Sequence, residues 1–266
     1  MISPRSEDEL ATQIVQAKGP ICIQGGGTRP IGAPVTGEVL SLAELNGVTL
    51  YEPGALTLVA QAGTPLADIQ ALLADEGQRL PFEPMDHRGL LGTSGISTIG
   101  GVVAGNISGP RRIAVGACRD FLLGVRFVDG QGTIVKNGGR VMKNVTGYDL
   151  VKLMAGSWGT LGVISEVSFK VLPISQTGAV LTLEGLSIEQ AVRAMSMALG
   201  SPFEITGAAH SAAGTVLRIE GFEASVGYRA GQVRDLLGGE AVVLDADRSA
   251  DVWLGLRDVA AFHGQD

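Results

Sequence analysis

Glycine constrains this chain more than any other residue type. There are 39 in 266 residues, about twice the usual share of roughly 7%. They lie in clusters between apolar runs and follow no Gly-X-Y period, which excludes a collagen-like helix. Three clusters stand out: Gly25-Gly26-Gly27-Thr28, Ser97-Thr98-Ile99-Gly100-Gly101 with Asn106-Ile107-Ser108-Gly109 after it, and Gly156-Ser157-Trp158-Gly159-Thr160-Leu161-Gly162. Each follows or precedes a strand-like run. Glycine lets backbone amides turn sharply and approach a ligand closely, and successive free N–H groups make an anion-binding concavity. A strand-rich fold with many turns has the same composition. The first cluster is neither a dinucleotide-binding G-x-G-x-x-G, since Pro30 follows too soon, nor a Walker A loop, since no Gly-Lys-Ser/Thr follows. Three such loops interleaved with small hydroxyls read as one extended cradle.

The rest of the composition narrows the class. Hydrophobic residues make up 45% and charged residues 18%, enough to bury a substantial core and unlike a disordered chain. The net charge of −7 and the lack of a basic stripe argue against a nucleic-acid partner, whose phosphates demand cationic contacts. Two cysteines, Cys22 and Cys118, make neither a disulfide framework nor a thiolate metal site. No metal site is expected. The N-terminus lacks a signal-peptide pattern, and no apolar run approaches the roughly 20 residues that span a bilayer. A cytoplasmic protein is expected, reaching the inner face of the membrane only through partners.

Local patterns predict an α+β chain. Ser6 caps a first helix, with Glu9 in the capping-box position and Leu10 and Ile14 on its apolar face. Ile21 to Ile23 is a short strand. Leu56 to Val59 is another, leading to Thr64-Pro65 as N-cap and first residue of a helix that Gly77 ends. These elements make a first lobe over about residues 1–80. From residue 81 to 175, strands such as Leu122 to Val128 and Val163 to Val171 alternate with turns at Asp129-Gly130 and Asn137-Gly138. A short helix near Tyr148 to Met154 interrupts this mostly antiparallel second lobe. Residues 176–266 read as strand (Ala179 to Leu183), helix (from Ser187 to near Gly200), strands (Phe203 to Ala208, Thr215 to Ile219), helix (Glu223 to Leu237) and strand (Ala241 to Leu244). That βαββαβ order is ferredoxin-like. A last helix starts at about Asp251.

The ordered set Gly25-Gly26-Gly27, Ala62-Gly63-Thr64, Leu80-Pro81, Thr98 to Gly101, Arg119-Asp120, Gly147-Tyr148-Asp149-Leu150 and Gly159 to Ile164 resembles the vanillyl-alcohol-oxidase, or PCMH-type, FAD-binding domain. The resemblance covers about residues 1–173. Within that family the chain is most similar to the FAD-binding subunits of glycolate oxidases, through Gly109-Pro110-Arg111-Arg112 and the run from Val141 to Leu150. The resemblance implies FAD between two lobes, held by Gly25, Gly26, Gly27, Thr28, Pro84, Thr98, Gly100, Gly101, Asn106, Gly109, Gly116, Gly162, Val163 and Ile164. It also implies a complex with a homologous catalytic flavin subunit and an iron–sulfur subunit that oxidises small 2-hydroxy acids such as glycolate and passes electrons to an acceptor other than oxygen. A stand-alone FAD-linked oxidase and a flavin-free assembly subunit are the alternatives.

Some relatives attach flavin through a histidine after the glycine run. Thr28 stands there, so non-covalent FAD is expected. Arg111 and Arg112 either offset flavin or substrate charge or form a solvated pair. Lys143 and Tyr148 are flagged by the resemblance alone. His87 reads as a loop histidine or a catalytic base. The catalytic residues stay unassigned: the histidine-rich C-terminal motif of related 2-hydroxy-acid dehydrogenases has no counterpart among His87, His210 and His263. The C-terminal unit is expected to be incomplete, since the resemblance implies closing strands after the last helix.

Overall fold

The computed structural model describes residues 1–140, 147–239, 241–244 and 246–264, with side chains at all of these except 244, 246 and 247. The resemblance-bearing run from Val141 to Thr146, Lys143 included, lies outside the described residues.

The centre of the molecule is a five-stranded antiparallel sheet. Its strands run in the order Val48–Glu52, Thr57–Gln61, Val163–Lys170, Leu122–Val128 and Ile134–Gly138. The Val163–Lys170 strand takes the middle because its sequence is apolar on both faces: Val163, Ile164, Val167 and Phe169 are all buried. Phe169 stacks against Phe82 with ring centroids 5.5 Å apart. Each such fully buried side chain contributes about 1.5–3 kcal/mol. One continuous core runs from Leu10 on the first helix to Val171. Strands from both sides of residue 80 meet in this sheet, through the Thr57–Gln61 pairing with Val163–Lys170.

Beside it lies a two-stranded parallel sheet, Ile21–Gln24 with Glu38–Ser41. The Glu7–Gln16 helix packs on the main sheet and is tied to it by Glu7. That carboxylate accepts from Arg126 and, at 2.5 Å, from the Ser165 hydroxyl. Burial alone would raise the Glu7 carboxyl, but the Arg126 and Ser165 hydrogen bonds outweigh it and hold the group below its ordinary value.

Residues 177–244 build a four-stranded antiparallel sheet in the order Gly207–Ser211, Gly214–Gly221, Thr177–Leu183, Val242–Leu244. The helices Ile188–Leu199 and Glu223–Leu236 connect its strands, and it has its own core around Leu181, Leu217 and Ile219. The elements succeed one another as βαββαβ.

Several local expectations need correction. Ser6 caps the first helix as expected, accepting from the Glu9 N–H, but the Glu9 carboxylate turns back to the Arg5 N–H and leaves the capping box open. The helix after Thr64-Pro65 starts one residue later, at Leu66. The Thr64 hydroxyl is spent on the Gln61 carbonyl and the Gly47 N–H, so it is a loop staple and no cap. At Asp129-Gly130 the left-handed residue is Gly132, because Asp129 folds the loop over its own carboxylate. The strand expected at Phe203 to Ala208 is Gly207–Ser211, and the last helix begins at Ala246, well ahead of Asp251.

Candidate nucleotide-binding cleft

The Ile21–Gln24 strand ends in Gly25-Gly26-Gly27, and this loop forms one wall of a cleft of about 330 Å³, within the range of small-molecule sites, roughly 300–1,000 Å³. The opposite wall combines Thr98, Gly100, Gly101 and Ala104 with Trp158, Gly159, Gly162 and Ile164. Nine of the fourteen residues expected to hold a cofactor therefore come together here: Gly25, Gly26, Gly27, Thr28, Thr98, Gly100, Gly101, Gly162 and Ile164. The three glycine clusters converge although 127 residues lie between Thr28 and Gly156.

The other five lie elsewhere. Pro84 lines a smaller neighbouring cavity with Ile96 and Ser97. Asn106 adopts a left-handed backbone and accepts the Arg119 N–H on its side chain. The Gly109 N–H is bonded to the Phe82 carbonyl, Gly116 faces Asp120 at φ +99°, and Val163 is buried in the main sheet.

Two glycines here, Gly26 and Gly95, serve a purpose other than ligand approach. A Cβ on Gly26 would lie 1.3 Å from the Ile96 carbonyl oxygen, and one on Gly95 would lie 1.8 Å from the Gly26 carbonyl oxygen. The two loops are stapled by the Ile96 N–H donating to the Gly26 carbonyl at 3.0 Å. Glycine is thus required where backbone meets backbone. The second loop offers the cleft few amides, since the N–H groups of Ile99 and Gly100 already donate to Thr64 and Ala62. In the first loop the N–H groups of Gly25, Gly26, Gly27 and Thr28 meet no acceptor among the described residues. Such a run of unpaired donors at the cleft wall fits a diphosphate.

One cation joins them, and sequence reading missed it. Arg29 lines the cleft, with its Nη1 3.2 Å from where a Gly101 Cβ would sit. Its Nη2 donates to Ser97 at 3.0 Å and its Nε to His87 Nδ1 at 3.2 Å. Burial lowers the Arg29 pKa from its ordinary value, the nearby Asp86 opposing it, and arginine stays charged in proteins. Burial, then the Arg29 charge, pushes the His87 pKa below its ordinary 6.5. His87 is therefore a neutral support for Arg29, with its Nδ1 lone pair occupied. Nothing in the sequence around Arg29 marks it, as its partners His87 and Ser97 lie 58 and 68 residues further on.

Arg111 resolves into neither of its expected roles. It is buried and forms a two-point pair with Glu220, at 2.8 and 2.9 Å, whereas Arg112 is exposed. Arg79 joins Glu220 at 2.9 Å, and Arg218 meets Glu83 at 2.9 and 3.0 Å. Burial would raise the Glu220 carboxyl, but Arg111 above all, with Arg218 and Arg79, holds it far below the usual carboxylate range. These five groups clamp the C-terminal sheet to the first unit. Of the cysteines, Cys22 lines the cleft, whereas Cys118 is fully buried and burial raises its thiol pKa steeply. Among the described residues, no three His, Cys, Asp or Glu side chains are grouped to hold a metal ion, and no helix is long and apolar enough to cross a membrane.

Comparison with known proteins defines the class. A family profile described as an FAD binding domain matches residues 1–138, and the chain belongs to that family of FAD-linked oxidoreductases. Glycolate oxidase subunit GlcE of Escherichia coli K12 is 39% identical over 251 residues, which cover 94% of this chain and 67% of that protein. Glycolate oxidase subunit GlcD of Bacillus subtilis 168 is 31% identical over 202 residues, 74% of this chain and 42% of its own length. A D-lactate dehydrogenase of Anaerostipes hadrus is 29% identical over 72% of this chain and 40% of that one. A solved structure of alkyldihydroxyacetonephosphate synthase shares the fold at a TM-score of 0.76, with 19% identity over 98% of this chain and 55% of that one.

Proposed function

We propose that this chain is the FAD-binding subunit of a glycolate oxidase-type complex, which takes a 2-hydroxy acid to the 2-oxo acid, and that its own flavin works chiefly as an electron relay. The observation that carries this reading is the cleft: four unpaired amides and the Arg29 guanidinium line it, a donor set that suits a diphosphate. FAD, when bound, accepts and returns electron pairs. The chain's part is to hold it. The amides of Gly25 to Thr28 take the diphosphate oxygens, and Arg29 offsets their charge, steered by Ser97 and His87. Trp158, Ile23 and Ile164 give the rings an apolar wall that excludes water. Thr98, Gly100, Gly101 and Gly162 line the rest of the dinucleotide's path. Asn106 and Gly116 shape the loops behind it, and Pro84, Gly109 and Val163 support it from outside.

The relay reading is supported by the chemistry of the lining. Cys22 and Arg29 are its titratable groups among the described residues. Deprotonating a hydroxy acid needs a base near the reacting carbon, and the lining includes no His, Asp or Glu among the described residues. A homologous flavin subunit would supply it, with an iron–sulfur subunit carrying electrons to an acceptor other than oxygen, on the cytoplasmic face of the membrane. Thr28 in place of a histidine and the buried Cys118 favour non-covalent FAD.

The test is an absorption spectrum of the purified chain after incubation with FAD, followed by acid precipitation. Yellow colour that moves to the supernatant supports non-covalent binding, and a chain that retains no flavin overturns the proposal. Anaerobic glycolate then decides the division of labour. Bleaching by the chain alone supports the stand-alone oxidase, whereas bleaching only with the catalytic flavin subunit present supports the relay.

A further inference from the structure

A second cavity, of about 500 Å³, opens where the C-terminal unit meets the first. It shares no lining residue with the glycine cleft. Its wall carries the clamp residues Arg79, Arg111, Arg218, Glu83 and Glu220, together with Trp253. Three arginines face two carboxylates, so this buried group holds one positive charge in excess. The remaining charges at the cavity are Arg257, which is paired with Asp258 at 2.7 and 2.8 Å, and Asp251 on the solvent-exposed rim.

Two donors here are left over. Arg79 spends one terminal nitrogen on Glu220 and the other on Ser175, at 2.9 and 3.0 Å, but its buried Nε has no acceptor. Trp253 is 3% exposed, and its indole N–H has no acceptor either. The ring is fixed: its benzo edge abuts Gly207, and the Arg218 guanidinium lies over it at 4.4 Å from the centroid. A buried donor without an acceptor is costly. A small anion with two acceptor oxygens would satisfy them and cancel the surplus charge.

We infer that this inter-unit cavity is a binding site for a small carboxylate anion, separate from the FAD cleft, with Arg79 Nε and Trp253 Nε1 as its donors. The site adds an acceptor to the clamp that joins the two units, so occupancy strengthens their attachment.

Isothermal titration of the full-length chain with oxalate, at constant ionic strength in chloride, tests this. The expected result is saturable one-to-one binding in the sub-millimolar range, unchanged by prior loading with FAD. R79K keeps the charge that meets Glu220 but removes Nε, and W253F keeps an aromatic ring but removes the indole N–H. Each is expected to weaken binding about tenfold, the loss of one charge-assisted hydrogen bond, while R193Q on the exposed helix face leaves it intact. Should R79K fold poorly, W253F alone carries the test. The inference is overturned by an absence of saturable heat, by parental affinity in W253F, or by competition between oxalate and FAD, which would place the anion in the glycine cleft.

Discussion

Replacing Gly26 with alanine tests whether this glycine exists for loop-to-loop contact. The new Cβ would stand 1.3 Å from the Ile96 carbonyl oxygen, and ordinary contacts begin beyond 3 Å, so the loops must part by about 2 Å. Gly26 is not in the left-handed region, which leaves steric overlap as the whole cause. Separation breaks the staple from the Ile96 N–H to the Gly26 carbonyl. Its loss costs about 0.5–1.5 kcal/mol net, and about 1–3 if either group stays buried without a partner. The Gly25–Thr28 amides move with the loop, so the cost falls on ligand affinity as well as on stability. FAD binding, followed by flavin fluorescence quenching, is expected to weaken at least tenfold, the equivalent of about 1.4 kcal/mol. The thermal midpoint should fall by only a few degrees, since the loop lies at the edge of the core. G19A is the control: nothing lies within 4 Å of its added methyl, and FAD affinity should be unchanged. Parental FAD affinity in G26A would refute the stapled-loop account.

Other outcomes follow from the same structure. R29M is expected to weaken FAD binding about ten- to hundredfold, the value of a charge-assisted contact. It should also raise the His87 pKa, measured by NMR titration, because one of the two causes holding it down is removed. E220Q leaves Arg79, Arg111 and Arg218 facing Glu83 alone. Breaking such a buried arrangement costs about 3–5 kcal/mol, measurable in urea unfolding at pH 7. In the parent chain the low folded-state pKa of Glu220 gives stability that is present above 4.5, its ordinary value, and is lost progressively as the pH falls below it. The difference between parent and E220Q should therefore shrink in acid. Cys22 lines the cleft and Cys118 is buried, so a thiol reagent should modify Cys22 in the FAD-free chain, spare Cys118, and be slowed at Cys22 by FAD.

Patterned elements were legible in the sequence because their signals are local. The Val163–Lys170 strand shows its burial in four apolar residues, and the Ile188–Leu199 helix is announced by a full capping box at Ser187 and Gln190. Errors arose where a side chain had a more distant partner. Thr64 has the right neighbour, Pro65, to cap a helix, but its hydroxyl answers to Gly47. The Glu38–Ser41 and Val48–Glu52 strands escaped notice because a few residues beside polar turns carry little periodicity, and their identity comes from pairing with Ile21–Gln24 and Thr57–Gln61. Arg111 and Arg112 are neighbours in sequence with opposite fates, decided by Glu220, 109 residues from Arg111.

The cleft shows the same division between what sequence contains and what only assembly creates. Glycine clusters located its walls correctly, yet for a reason that only the packed loops disclose: Gly26 and Gly95 are small so that their backbones can touch. Once these two are explained by loop contact, they cease to argue for a ligand. The argument for one passes to the four amides left without acceptors and to Arg29, whose charge burial disfavours and Asp86 only partly offsets. A chain folded for contacts alone would gain by pairing those donors and by placing a neutral side chain at position 29. That it does neither is the physical reason to read the cleft as a binding site, and the same reasoning leaves substrate oxidation to a base that this cleft wall does not display.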